Sequence, residues 1–216
     1  MNFYQEKTSK YFAIARTEIQ PLLPEKAERV LEIGCADGST LLWVREKLAS
    51  SWLGGVELFE DAAEKARHRI DWVSHGNIET KDLPFEPDSL DMILCLDVLE
   101  HLWDPWTVVR KMSTLLKPGG VLIISIPNVR HHSVLKPLLF HGRWDYEVEG
   151  VLDKSHIRFF TKATAVELAQ TGGLKVDIVT STGLESGTKS ALANALLLGV
   201  FTMFFERQYL VRAIKP

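Results

Sequence analysis

The sequence predicts an α/β fold on a doubly wound parallel sheet, and three observations carry that reading. Apolar strands alternate along the chain with helical patterns, the mark of βαβ units. The stretch VLEIGCADGST, residues 30–40, runs from an aliphatic strand through a small-residue turn straight into an apolar helix. Glu57 then closes the next apolar strand, in WLGGVELF. Gly34 and Gly38 lack a Cβ and tolerate positive φ, so backbone N–H groups in the turn can approach a ligand closely. A carboxylate closing the second strand can accept hydrogen bonds from two ribose hydroxyls. Turn and acid together point to a nucleoside ligand.

In chain order, residues 3–23 read as an amphipathic helix ended by Pro21 and Pro24, the body of an N-terminal cap over 1–25. A first strand spans 29–34, a helix 38–49, a second strand 52–58 and a helix 60–70. The third strand, near 72–78, is short and weak; LDMILCLDVL, 90–99, is a buried fourth. A helix from 104 to 117 is expected to stop at KPGG, Lys117–Gly120, where a basic residue and glycines suit a C-cap. The fifth strand is 121–128. After an irregular stretch come a helix over Thr161–Thr171, a strand over 174–180, an apolar helix over 189–205 and a last strand over 208–214. No repeat or linker interrupts residues 1–216, which read as one domain.

Composition narrows the partners. At 46% apolar content the chain can bury a sizeable core, and a net charge of −3 offers no basic footprint for nucleic acid. Two cysteines, Cys35 and Cys95, cannot form a disulfide framework, and no signal peptide opens the chain, so a cytoplasmic setting is expected. The apolar run 191–205 has 15 residues and is interrupted by Asn194, short of the ~20 that a spanning helix requires. It reads as a helix packed on the sheet or on a partner subunit, with interfacial lipid contact as the other reading.

Spacing decides between cofactors. A dinucleotide fingerprint needs GxGxxG, but Ser39 stands where the third glycine belongs. The small residues fall instead at Gly34, Ala36 and Gly38, with Glu32 ahead of them, an ExGxGxG-like pattern. With these residues the chain resembles the class I S-adenosylmethionine-dependent methyltransferases, over roughly residues 10–215. The resemblance implies a Rossmann-like seven-stranded sheet, mostly parallel with the last strand antiparallel, helices on both faces, and S-adenosylmethionine as cofactor. A non-catalytic module that binds this cofactor is the alternative.

The same resemblance assigns candidate roles. Glu32 lies beneath the turn, fixing the loop or reaching the methionine amino group through water, while Asp37 and the Gly34 backbone face the amino-acid end. Glu57 and Leu58 close the second strand on the ribose side. Asn77, in GNIETKDLPFEPDSLD, stands where the family has an aspartate for the adenine amine; its carboxamide oxygen can accept the same bond, or Asn77 is a turn residue. Ile78 packs on the adenine or in the core, and Leu96 ends the fourth strand at the ligand edge. Arg16, in a segment with Tyr11 and Phe12, reads either as a fork on the methionine carboxylate or as a solvated charge.

Downstream, LEHLWDP carries Glu100 and His101, and this region resembles ubiquinone-biosynthesis O-methyltransferases. Asp97, Glu100 and His101 form a weak metal set, read in preference as a helix N-terminus with favourable acids, a stacked His and Asp104 as its cap, and no metal is assigned. Because a sulfonium is already an activated donor, the protein mainly aligns the acceptor and excludes water; His101 and His156 are the candidate bases for a hydroxyl. His156 opens HIRFFT, similar to a string in bacterial glycan and lipid methyltransferases, and reads also as a packing motif before Thr161. Residues 128–160 form the acceptor lid, with Phe140, Trp144 and Tyr146 suited to a sugar, glycan-lipid or quinone-type ring, or to a dimer contact. A monomer or homodimer acting on a small molecule is the expectation.

Overall fold

The computed structural model describes residues 14–184, 187–196 and 198–216. Seven strands form one sheet: β1 (Arg29–Ile33), β2 (Trp52–Glu57), β3 (Trp72–His75), β4 (Leu90–Leu96), β5 (Leu116–Pro127), β6 (Lys175–Thr182) and β7 (Gln208–Ile214). Their order is β3-β2-β1-β4-β5-β7-β6. β7 runs antiparallel to both neighbours, and the other six share one direction. The expected Rossmann-like architecture is therefore present.

Strand residues alternate between two cores because successive side chains leave opposite faces of a sheet. Leu31, Ile33, Ile93, Cys95, Leu122 and Ile124 pack on one face against α3 (Pro105–Leu115) and α5 (Lys162–Ala169). Val30, Met92, Leu94 and Ile123 pack on the other against α1 (Ser39–Leu48), α2 (Glu60–Arg67) and a 3₁₀ turn, Thr17–Leu22. Helix starts follow local chemistry. Asp104 caps α3 by accepting from the Thr107 N–H, with Pro105 in the first turn; Thr161 and Thr164 form a reciprocal capping box on α5.

Several sequence expectations are corrected. Residues 1–13 of the N-terminal helix, with Tyr11 and Phe12, lie outside the described residues; the part seen is the 3₁₀ turn Thr17–Leu22, not an α-helix. Pro21 lies inside that turn and has no N–H to extend an α-helical ladder, while Ile19 and Leu22 anchor it to the core. KPGG does not cap a helix. α3 ends at Leu115 and the segment joins β5, with the Gly119 N–H donating to the Lys215 carbonyl and the Lys215 N–H to that of Gly120. The stretch after β5 contains a helix, α4 (His132–His141). The 189–205 helix stops early, as α6 (Lys189–Leu196), because the chain reverses through Leu198 (φ +53°) and Gly199 (φ +72°) before a 3₁₀ turn at Thr202–Phe204. No described helix is long and apolar enough to cross a membrane.

Candidate active site

The chain crosses from one half of the sheet to the other between β1 and β4, and ligands of open α/β sheets are received at the carboxyl ends beside such a switch. A cavity of about 470 Å³ opens there. Its wall is built from Glu32–Ala36 at the end of β1, Val56–Phe59 at the end of β2, Gly76–Glu79 after β3, and Leu96–Val98 with His101–Trp103 at the end of β4 and beyond it. Arg16, Glu32, Gly34, Glu57, Leu58, Asn77, Ile78 and Leu96 all face it, as does His101. Asp37 and Gly38 do not. The Asp37 carboxylate is engaged by the Ser39 N–H at 3.0 Å and by Arg69, and Gly38 is the N-cap of α1.

The turn after β1 is held from two sides. Gly34 and Ala36 take left-handed backbone, φ +76° and +47°, and the Gly34 N–H reaches the Val56 carbonyl at 2.8 Å. A Cβ on Gly34 would fall 2.5 Å from Val98 Cγ2, so this glycine admits the close approach of the chain leaving β4. Glu57 ties the turn to the second strand: Oε2 accepts from the Ala36 N–H at 2.8 Å and Oε1 from the Phe59 N–H at 2.9 Å. Burial raises its pKa, and these N–H donors work against the rise.

Glu32 sits beneath the turn, and its Oε2 has no hydrogen-bond partner among the described residues. Burial pushes its carboxyl up to about 8; the Arg16 charge opposes this, while Glu57 and Asp37 add to it. An orphaned buried carboxyl on a cavity wall suits a ligand bearing a cationic donor. Asn77 uses Oδ1 to accept from the Glu79 N–H at 2.9 Å, an Asx turn that also sets its carboxamide on the cavity wall. Ile78 is both core and wall.

Arg16 is not a solvated charge. Its Nη1 donates to Asp97 Oδ2 at 2.5 Å, its Nε pairs with Glu18, and Nη2 reaches Ser125 Oγ and Gln208 Oε1 at 3.4 and 3.3 Å. Burial works against the cation, but Asp97 and Glu18 outweigh it and hold its pKa above the ordinary value. Asp97 has left-handed backbone, φ +56°, and its Oδ1 accepts from Ser125 Oγ at 2.9 Å and from Gln208. Sequence reasoning missed this network because its members come from four separate segments. It also missed Thr40 and Trp103 as wall residues, although Thr40 lies just past the small-residue turn.

A second cavity of about 200 Å³ adjoins the first and shares Asp97 and His101 with it. Glu100, Pro127, Glu149–Val151, Asp153, His156, Arg207 and Gln208 complete it, so His156 belongs here and not on the first cavity. The lid segment is tied down by backbone bonds: the Ile157 and Arg158 N–H groups both reach the Glu100 carbonyl at 3.0 Å. Val134, Val151 and Leu152, with Trp144 and Phe159 against them, form its own small core. One ligand atom each from Glu100, His101 and His156 lies within 4.8 Å of the others, a set able to hold a metal ion. Asp97 is outside that set, its oxygens being engaged by Arg16, Ser125 and Gln208.

Residues 4–178 match the family model of a methyltransferase domain. The chain belongs to the S-adenosylmethionine-dependent methyltransferases. This methyltransferase is 23% identical over 170 residues to a ubiquinone biosynthesis O-methyltransferase of Neisseria meningitidis, covering 73% of this chain and 71% of that protein. It is 29% identical over 176 residues to a protein of the same description from Ralstonia nicotianae, covering 75% and 72%. An S-adenosylmethionine-dependent methyltransferase of known structure from Mesorhizobium loti shares the fold, with a TM-score of 0.66 at 20% identity over 97% and 99% of the two chains. S-adenosylmethionine is the cofactor of the methyltransferase, and the larger cavity fits it in volume, in its open left-handed turn and in the unpartnered Glu32 oxygen.

Proposed function

We propose that this methyltransferase acts on a hydroxyl of a small molecule held in the second cavity: a quinone-type phenol first, with sugar and glycan-lipid hydroxyls as the wider class. One observation carries the reading: the two cavities meet at a common wall of Asp97 and His101, so a donor in one and an acceptor in the other are neighbours. When bound, S-adenosylmethionine supplies an activated methyl on a sulfonium. The chain supplies the rest. On this reading Glu57 takes the ribose diol, Glu32 the amino group, and Asn77 with Leu58 and Ile78 the adenine; all five line the larger cavity.

On the acceptor side, His101 Nδ1 lies 3.1 Å from the Ser155 carbonyl and His156 Nδ1 lies 2.9 Å from that of Val151. A carbonyl only accepts, so both Nδ1 atoms carry a proton, and in a neutral His101 ring the proton acceptor is Nε2. His101 Nε2 is the base for the hydroxyl proton. The buried Glu100 carboxylate, with an oxygen within 4.8 Å of a His101 ring nitrogen, stabilises the imidazolium that follows, and His156 packs against that ring. The lid aligns the acceptor, and the apolar part of the larger cavity's wall, with Val56, Leu58, Ile78 and Leu96, excludes water from the methyl.

The quinone-type acceptor is supported by the relatives described as ubiquinone biosynthesis O-methyltransferases. A methyl-transfer assay with labelled cofactor against catechols, phenols, sugars and small carboxylic acids tests the reading. Transfer to a phenol or sugar hydroxyl is expected; transfer confined to acids or amines overturns it.

A further inference from the structure

Two surface segments expose more apolar area than the fold requires. α4 turns Leu138, Leu139 and Phe140 outward, the last two 73% and 75% exposed. The second segment, α6 and the turn after it, exposes Leu192, Leu196, Leu198, Val200 and Phe201. The segments touch. The Arg130 guanidinium lies over the Phe204 ring at 5.6 Å, the His132 and Phe205 rings are 5.9 Å apart, and Asn128 Nδ2 donates to the Met203 and Glu206 carbonyls at 2.8 and 2.7 Å. Leu139 follows His132 by about two helical turns and so shares its side of α4.

Charge identifies the occupant. Asp and Glu number 28 in the 216 residues, yet residues 128–144 and 187–205 contain none. Exposed Lys136 in α4 and Lys189 at the start of α6 stand among the apolar side chains. We propose that this face docks on an anionic lipid leaflet, its leucines and Phe140 entering the boundary of the acyl chains while the cations meet lipid phosphates. A second copy of the same face would set cation against cation, because a two-fold contact pairs a patch with itself. The contact is peripheral, since no described helix can cross a bilayer. Asn128 and Glu206, at the junction of the segments, are flanked by Pro127 and Arg207 on the wall of the second cavity. The docked face thus sits beside the acceptor cavity, but the docking itself does not depend on which acceptor enters.

Co-sedimentation of the full chain with vesicles of phosphatidylcholine, alone or mixed with phosphatidylglycerol, tests the proposal. Binding is expected on the mixed vesicles and is at least about tenfold weaker on phosphatidylcholine alone. The pair Leu139→Ser with Phe140→Ser weakens binding at least about tenfold, and Lys136→Glu with Lys189→Glu does so on the anionic vesicles only. All of these side chains lie outside the cofactor cavity, so S-adenosylhomocysteine affinity stays unchanged and reports an intact fold. Three results overturn the docking: no vesicle binding, equal binding by the variants, or a dimer that the Leu139→Ser and Phe140→Ser pair dissociates in sedimentation equilibrium. Failure of the wild-type chain to bind S-adenosylhomocysteine would strike the methyl-transfer reading instead.

Discussion

His101 and His156 meet edge to face, ring centroids 4.6 Å apart, and the rings are oriented by the backbone carbonyls of Ser155 and Val151 respectively. Both imidazoles line the second cavity, and their orientation is set by the protein itself without a substrate to order them.

Replacing His101 by Ala is expected to lower kcat by about a hundredfold to a thousandfold, the usual worth of a positioned base. His156→Ala should lower it less. Affinity for S-adenosylhomocysteine, measured by titration calorimetry, stays within about twofold in both, because loss of a base acts on the transition state and not on cofactor binding. Parallel loss of affinity would reassign both residues to the fold.

Glu32 sets a pH dependence. Its folded carboxyl titrates near 8 against an ordinary 4.5, so the free protein carries this proton at neutrality. A ligand ammonium favours the carboxylate, so cofactor binding near pH 7 should release a proton and tighten as pH rises towards 8. Calorimetry in buffers of different ionisation enthalpy reads the release directly; Glu32→Gln abolishes it. The folded state binds the extra proton between pH 4.5 and about 8, so this group's favourable contribution is full below that window and is lost as pH rises through it. Glu32→Gln should therefore flatten the fall in stability towards pH 8.

Gly34→Ala is expected to destabilise the fold by about 2–4 kcal/mol, from a left-handed backbone and a clash with Val98. Adding Val98→Ala restores only the portion due to the clash. Chemical denaturation of the two variants separates these terms, and full recovery would mean that backbone strain is negligible.

Arg16 and Asp97 should be energetically coupled. A double-mutant cycle with Arg16→Ala and Asp97→Asn is expected to give an interaction of about 1–3 kcal/mol in stability, since both side chains are largely shielded from solvent. A value near zero would make the pair incidental.

What was legible in the sequence was short in range. The β1 turn and Glu57 announce themselves within a strand and its following helix, and the structure joins them through the Ala36 N–H. The pairing of Asp37 with Arg69 was not legible, because the two lie 32 residues apart and meet only when α2 packs beside the turn. KPGG misled because pairing of β5 with β7 overrides a local C-cap signal. Pro137 and the outward apolar residues hid α4, which shows no ordinary amphipathic pattern. The approach of His156 to His101 was invisible, because it depends on the lid returning to Glu100 through two backbone bonds.

Asp97 stands in the partition between the two chambers, clamped by donors from the N-terminal segment, from β5 and from the last strand. Substituting Asp97 therefore disturbs the larger cavity as well as the smaller. Variants with altered substrate range that change this carboxylate will carry altered cofactor affinity with them, whereas changes made in the lid around Val151 leave it intact.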